Sequence, residues 1–170
     1  MICVKRSEFT FKYGPINLKI VPEYKYLGVI VDEHLTFSQC SKTLADSAGR
    51  ALSAIISKFK EFKDNGYHTF NCLYDSGVLP VMYYGCSVWG FKTINNHSDL
   101  VQNKAMCYFL GVNKFTPIAA LQGEMGWHPS IYGKYLCMLR LWNRLIKLPN
   151  DRLTKRIFNV HYERFSVNKN

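Results

Sequence analysis

The feature that most constrains the fold is a change in the spacing of apolar residues near position 36. Before that point apolar and polar residues alternate, as in Ile16, Leu18 and Ile20, which is the two-residue period of a strand. After it, apolar residues recur every three or four positions, which is the period of an amphipathic helix. The sequence therefore predicts an α+β fold, with short antiparallel N-terminal β hairpins followed by a mainly α-helical bundle.

Turn signals divide the first part of the chain into strands. Gly14-Pro15 predicts a hairpin turn, because Gly accepts unusual backbone angles and Pro fixes its own φ. Isolated hairpins are marginal in water, so we expect the strands to pack on something larger. The chain opens directly in a strand, which suggests a missing upstream segment. The predicted strands are Ile2–Lys5, Phe9–Lys12, Ile16–Val21 and Tyr24–Val31.

The second part of the chain predicts a series of helices. The first begins at Thr36, ends near Asn65-Gly66, and has an apolar stripe opposite its basic residues. The second is predicted as one buried helix from Phe70 to Trp89, kinked by Pro80. Later helices are predicted over Leu100–Phe109, from Pro117 with Thr116 as N-cap, after Pro129, and over Asp151–Phe158, followed by a frayed tail from Val160 to Asn170.

The charge balance indicates a polyanionic partner. Lysine and arginine number 22 against 12 aspartates and glutamates, which gives a formal net charge of +10. Nucleic acid is the leading candidate, and the alternatives are a basic protein that merely stays soluble or an anionic membrane surface. No apolar run approaches the roughly 18 residues of a membrane span, so we expect an intracellular protein, nuclear or cytoplasmic, without a membrane partner.

Cysteine and histidine usage predicts no metal site. The six cysteines and five histidines are dispersed, without a CxxC pair or a zinc-like cluster. We interpret the cysteines as reduced core thiols, and we expect no cofactor in this chain.

Two motifs carry a resemblance to a known family. The run Tyr24–Val29, in which Tyr26-Leu27-Gly28 is followed by Asp32, resembles the segment after the palm in reverse transcriptases of non-LTR retrotransposons of the jockey or LINE type. In that family an aromatic-x-Tyr-Leu-Gly turn forms the primer grip, and the thumb helices follow it. The second landmark is a proline followed by Tyr-Gly and a tryptophan, matched here by Val78, Leu79, Pro80, Tyr84, Gly85 and Trp89.

The resemblance is clear over residues 16–91 and weaker over residues 100–148. It implies a palm-edge and primer-grip-like β segment over residues 1–35, with Met1–Arg6 as the last palm strand, then thumb-like helices over 36–92 and a helical extension over 93–170. It also implies partners, namely an RNA template, a DNA primer and their hybrid. The family's magnesium would lie in a missing upstream palm, and the parent activity is RNA-directed DNA polymerisation.

The residues needed for that chemistry are not in this chain. Polymerases use paired aspartates to hold two magnesium ions, and this sequence has no Asp-Asp pair. Among twelve acidic residues only Asp32 and Glu33 adjoin, in a predicted turn where a solvated pair is more typical than a metal site. No glycine-rich phosphate loop or nucleophile elbow is present either. We therefore expect binding without catalysis from this chain alone.

The candidate nucleic-acid-binding residues form three groups on the sequence. A Gly in an apolar β run marks a close approach of another backbone, which in a primer grip is the primer, although Gly28 could simply permit a bulge with Tyr24 and Tyr26 packed on the sheet. The basic residues could contact phosphates, face water or pair with acidic groups. The candidates are Lys25, Tyr26, Leu27 and Gly28 at the grip, Lys42, Arg50, Lys58 and Lys60 on the first helix, and Arg140, Arg144 and Lys147, with Lys134 nearby, on a later one.

Two further expectations remain open. Tyr132, Tyr135 and Trp142 share one apolar stripe, which predicts burial rather than base stacking. The alternatives to nucleic-acid binding are a helical module that assembles with another chain through its N-terminal strand edge, and a decayed remnant of a mobile element with no selected role.

Overall fold

The computed structural model describes residues 11–61, 66–91 and 97–167, and it confirms the α+β class. Two separate antiparallel hairpins precede the helices. They pair β1 (Lys12–Tyr13) with β2 (Ile16–Asn17), and β3 (Glu23–Tyr26) with β4 (Val29–Asp32). The helices of the described residues are α1 (Ser38–Phe59), α2 (Tyr67–Gly77), α3 (Leu79–Met82), α4 (Cys86–Trp89), α5 (His97–Leu110), α6 (Ile118–Met125), α7 (Ser130–Lys147) and α8 (Leu153–Val167).

The first hairpin forms at the predicted turn but is shorter than expected. Gly14 has a φ of 58°, which suits the first position of the tight turn that Pro15 completes. Ile16, Leu18 and Ile20 are exposed, so within the described residues this hairpin does not pack on a larger partner as predicted. The predicted strand Ile2–Lys5 and the palm strand assigned to residues 1–6 lie outside the described residues.

The prediction of one kinked helix from Phe70 to Trp89 is wrong, because this segment is divided into α2, α3 and α4. Pro80 lies in the first turn of α3, where its missing N–H costs no intrahelical bond. Gly85 has a φ of 62°, which stops α3 from continuing into α4. The result is a tight corner that brings residues 83–85 towards the second hairpin.

Several helix ends differ from the prediction. The first helix starts at Ser38 and ends at Phe59, rather than running from Thr36 to Asn65-Gly66, and residues 62–65 lie outside the described part of the chain. The helix α6 begins one residue after Pro117. The frayed tail predicted from Val160 is wrong as far as Val167, because the turn beyond Phe158 carries Tyr162, whose ring packs near Trp142 of α7.

Buried residues form two clusters. The larger one joins α1, α2, α3, α5 and α6 around Leu52, Phe70 and Met106. The smaller one contains Phe37, Cys40, Leu44, Cys86 and Trp89, and residues 29–31 of β4 pack against it. The second hairpin is therefore attached to the helical bundle through its own small core, which fixes where its turn lies.

The start of α7 is held tightly against the bundle. The Tyr83 hydroxyl donates to the Ser130 carbonyl at 3.0 Å, and the Ser130 hydroxyl donates to Asp99 Oδ1 at 2.6 Å. Lys134 is only 2% exposed, with its Nζ 5.9 Å from the centre of the Trp89 ring. The expectation that Lys134 adds to a surface basic strip is therefore wrong, and desolvation lowers its pKa below the ordinary 10.5.

No helix in the described ranges combines the length and the apolar character that crossing a bilayer requires.

Candidate nucleic-acid interface

The turn of the second hairpin is an exposed, strained loop. Leu27 and Gly28 have φ values of 47° and 87°, and two positive φ angles are what a two-residue type I′ hairpin turn requires. For Leu27 this conformation costs about 1–2 kcal/mol, because its Cβ crowds the following carbonyl. Tyr24 and Tyr26 are each 63% exposed, so the alternative in which they pack on the sheet is wrong. The turn presents apolar and aromatic side chains to solvent.

The two sequence landmarks meet at this turn. The Tyr84 hydroxyl donates a hydrogen bond of 2.9 Å to the Leu27 carbonyl, across 57 positions of sequence. A Cβ on Gly28 would lie 3.3 Å from Tyr84 Cε1, and one on Gly85 would lie 3.0 Å from Val29 Cγ2. The close neighbour of Gly28 in this structure is thus the Tyr84 ring, while an approach of the primer backbone remains a prediction.

Trp89 supports the same junction from beneath. It is fully buried, and its Nε1 donates to the Tyr84 carbonyl at 2.8 Å. The tryptophan therefore fixes the backbone of Tyr84, whose hydroxyl in turn holds Leu27. Leu27, Gly28, Tyr84 and Trp89 thus form one local arrangement.

Asp32 organises the connection from β4 to α1. Its Oδ1 accepts from the backbone N–H groups of His34 and Thr36 at 3.1 and 3.0 Å, and its Oδ2 accepts from the Thr36 hydroxyl and the Phe37 N–H at 3.1 and 2.8 Å. These donors, led by the Thr36 N–H, lower the pKa of Asp32 from 3.8 to about 2. The carboxylate thus has a structural role. Within the described ranges, no three His, Cys, Asp or Glu side chains are grouped to hold a metal ion.

The candidate basic residues of α1 are exposed but do not form one straight row. Lys42, Arg50 and Lys58 follow each other at intervals of eight, so each lies about 80° further round the helix, over a length of about 24 Å. Lys58 forms an ion pair with Glu61 at 3.1 Å, and Lys60 lies 5.9 Å from the centre of the Tyr108 ring. Lys25 is exposed on β3.

A groove between α1 and α5 brings two cations together. Arg50 lines it from α1, and Lys104 and His97 line it from α5, together with the acidic Asp46. Lys104 Nζ donates to Ser53 Oγ at 3.2 Å. Neither Arg50 nor Lys104 has an acidic partner among the described residues. Sequence reasoning missed Lys104 and His97, because no local pattern shows which face of α5 packs on α1.

The third group of candidates lies on a different helix. Arg140, Arg144 and Lys147 are exposed in the second half of α7, which packs mainly against α4 rather than α1. The structure therefore separates them from the basic residues of the groove. The prediction that Tyr132, Tyr135 and Trp142 are buried is wrong, because the bundle covers only the opposite face of α7, marked by Ser130 and Lys134.

No family model, curated protein or solved structure matches this chain.

Proposed function

We propose that the chain binds a primer–template duplex, in the manner of the primer grip and thumb of a non-LTR reverse transcriptase, and that it does not polymerise by itself. The observation that carries the proposal is the contact between Tyr84 and the Leu27-Gly28 turn. Two motifs matched independently on the sequence are expected to meet in space if they belong to one functional unit. The hydrogen bond from Tyr84 to Leu27 supports that expectation.

The distribution of charge supports a phosphate-binding role for the α1–α5 groove. Duplex nucleic acids are bound mainly through neutralisation of phosphates, and exposed cations without acidic partners are suited to that role. Arg50 and Lys104 meet this condition, whereas Lys58 is engaged with Glu61. We therefore rank Arg50 and Lys104 as the principal phosphate contacts. Lys42, which lies on α1 like Arg50, is a further candidate contact.

The proposal assigns no polymerisation to this chain because of its carboxylates. Two-metal catalysis needs carboxylates free to coordinate magnesium. Both oxygens of Asp32 already accept hydrogen bonds from residues 34–37. In this proposal the magnesium-binding palm belongs to an upstream polymerase segment, and this chain contributes only the grip on the RNA template and DNA primer.

The proposal is tested by fluorescence anisotropy of the full chain with a labelled RNA–DNA primer duplex, titrated across salt concentrations. We expect a steep loss of affinity with salt and a preference for the duplex over single strands. The double variant Arg50→Glu/Lys104→Glu should bind more weakly and with a shallower salt slope. The matched control Arg156→Glu/Arg164→Glu makes the same charge change on α8 and should bind like the parent chain if the groove is the contact.

Two results would refute the proposal. A cooperatively folded chain that binds neither duplex nor single strands at low salt has no nucleic-acid function of its own. Equal weakening by the groove variant and the α8 control would show that net charge, rather than the groove, determines binding.

A further inference from the structure

The helix α7 exposes an apolar stripe for most of its length. Only Ser130 and Lys134 of its 18 residues are buried. Tyr135, Leu139, Trp142 and Ile146 follow each other at steps of four, three and four residues, which places them on one face. Leu139 is 61% exposed. Exposed apolar side chains that are gathered on one face, rather than scattered singly, typically mark an interaction surface.

The stripe is covered at one end only. Trp142 packs edge-on against Phe158 of α8 at 5.4 Å between ring centres, and it also approaches Tyr162 at 6.3 Å. Towards the start of the helix, Tyr135 and Leu139 remain open to solvent, together with Tyr132 and Leu136 beside them. The open part is therefore about two turns of α7, enough for the anchors at successive helical turns by which one helix recognises another.

The charges beside the stripe indicate what kind of partner fits. The sequence of α7 contains no acidic residue. Arg140 and Lys147 follow Leu139 and Ile146 directly, which places them about 100° round the helix from the stripe, and both are exposed. A second copy of this chain would bring the same cations to the same edge, so self-association is opposed by repulsion. A partner with acidic residues beside its apolar ones is complementary.

The composition of the stripe favours a protein over a nucleic acid. Bases gain affinity by stacking on aromatic faces, and aliphatic side chains offer them no such surface. The exposed apolar residues of α7 include four aliphatic ones, Ile131, Leu136, Leu139 and Ile146. These side chains interdigitate well with the leucine-rich face of another helix.

We propose that the open face of α7 docks an amphipathic helical segment of a protein partner that carries acidic residues along its apolar stripe. This surface is distinct from the groove between α1 and α5, and the proposal does not depend on the nucleic-acid function. In this proposal Arg140 and Lys147 attract the acidic residues of the segment, and Tyr135 and Leu139 of α7 contact its apolar residues.

The test uses two labelled synthetic peptides of three heptads with leucine at the core positions and either glutamate or lysine beside them. Anisotropy with the full chain should show binding of the glutamate peptide and at least about tenfold weaker binding of the lysine peptide. Leu139→Glu should weaken the binding of the glutamate peptide by about tenfold or more. Phe115→Glu replaces an apolar residue that is 80% exposed outside α7, and it should have no effect.

A second variant and a sedimentation measurement keep the test decisive. If circular dichroism shows that Leu139→Glu disturbs the fold, Tyr135→Glu replaces it, and the same weakening is expected. Equal binding of both peptides would overturn the proposal. If sedimentation shows a dimer of the chain that Leu139→Glu dissociates, the face binds a second copy and the proposal is overturned. If the chain binds a single-stranded RNA and Leu139→Glu abolishes that binding, the face binds nucleic acid and the proposal is overturned as well.

Discussion

Replacing Gly28 with alanine tests the junction between the second hairpin and the bundle. The φ of 87° at Gly28 favours glycine, and a left-handed conformation costs an alanine about 1–2 kcal/mol. The new Cβ would lie 3.3 Å from Tyr84 Cε1, so the ring has to move. We expect this shift to break the hydrogen bond from Tyr84 to Leu27, and its loss costs a further 0.5–1.5 kcal/mol or so. We therefore expect Gly28→Ala to destabilise the docked hairpin by about 1.5–3.5 kcal/mol.

The magnitude is measured by urea unfolding and by hydrogen exchange of the amides of β4. Exchange reports opening of the hairpin alone, and about 1.4 kcal/mol of destabilisation speeds it tenfold. Gly126→Ala is the matched control, because Gly126 also has a positive φ, of 62°, but a Cβ there meets no atom within 4 Å. It should cost only the backbone part, about 1–2 kcal/mol.

A double-mutant cycle separates the contact from the backbone. In a Tyr84→Phe background the hydroxyl is already absent, so the cost of Gly28→Ala should fall by about 0.5–1.5 kcal/mol. If Gly28→Ala costs no more than Gly126→Ala and leaves exchange in β4 unchanged, the turn is not held by Tyr84 and the prediction is refuted.

Three further predictions concern titratable and buried groups. Asp32→Asn should lower the free energy of unfolding at neutral pH by about 1 kcal/mol. The pKa of Asp32 is lowered from 3.8 to about 2, so the stability difference between the parent chain and Asp32→Asn should shrink as the pH falls through this interval. A difference in the free energy of unfolding that stays constant during acid unfolding would contradict the role of the carboxylate. Lys134→Met should raise the free energy of unfolding at neutral pH by about 1 kcal/mol, because an amine buried beside Trp89 is desolvated. The gain should shrink as pH approaches 10.5, and urea titrations at two pH values check both signs. Iodoacetamide should label the exposed Cys72 quickly and Cys86 only after unfolding, since burial raises the pKa of Cys86 to about 12. Mass mapping that finds Cys86 labelled in the folded chain would contradict this.

Local periodicity predicted the parts of the fold that depend on one element at a time. The predicted apolar stripe of the first helix is a good example, because Leu44, Ala48, Leu52 and Phe59 recur at helical spacing along α1 and are all buried. The first hairpin turn followed from Gly14-Pro15 in the same way. The single strand predicted over Tyr24–Val31 is wrong, because Leu27 and Gly28 form a turn between β3 and β4, and only the resemblance implied a turn there. Such predictions need only the geometry of a single helix or turn.

The rest could not be predicted, because it depends on which elements meet. Periodicity shows that Tyr135 and Trp142 share a face with other apolar residues of α7, but not whether the fold provides a helix to cover that face. For the same reason Lys134 was predicted to be exposed, because the sequence does not show that α4 covers it. Likewise, the position of Arg50 and Lys104 in one groove depends on the packing of α1 against α5.

The left-handed backbone around the second hairpin has a consequence for the order of folding. Leu27, Leu35 and Phe37 all have positive φ without being glycine, and together these conformations cost about 3–6 kcal/mol. A hairpin of two four-residue strands has little to offset this by itself. We therefore expect the hairpin to form late, after α1 and the corner at Gly85 have provided the small core against which residues 29–31 pack. Substitutions in it should then change the unfolding rate far more than the folding rate.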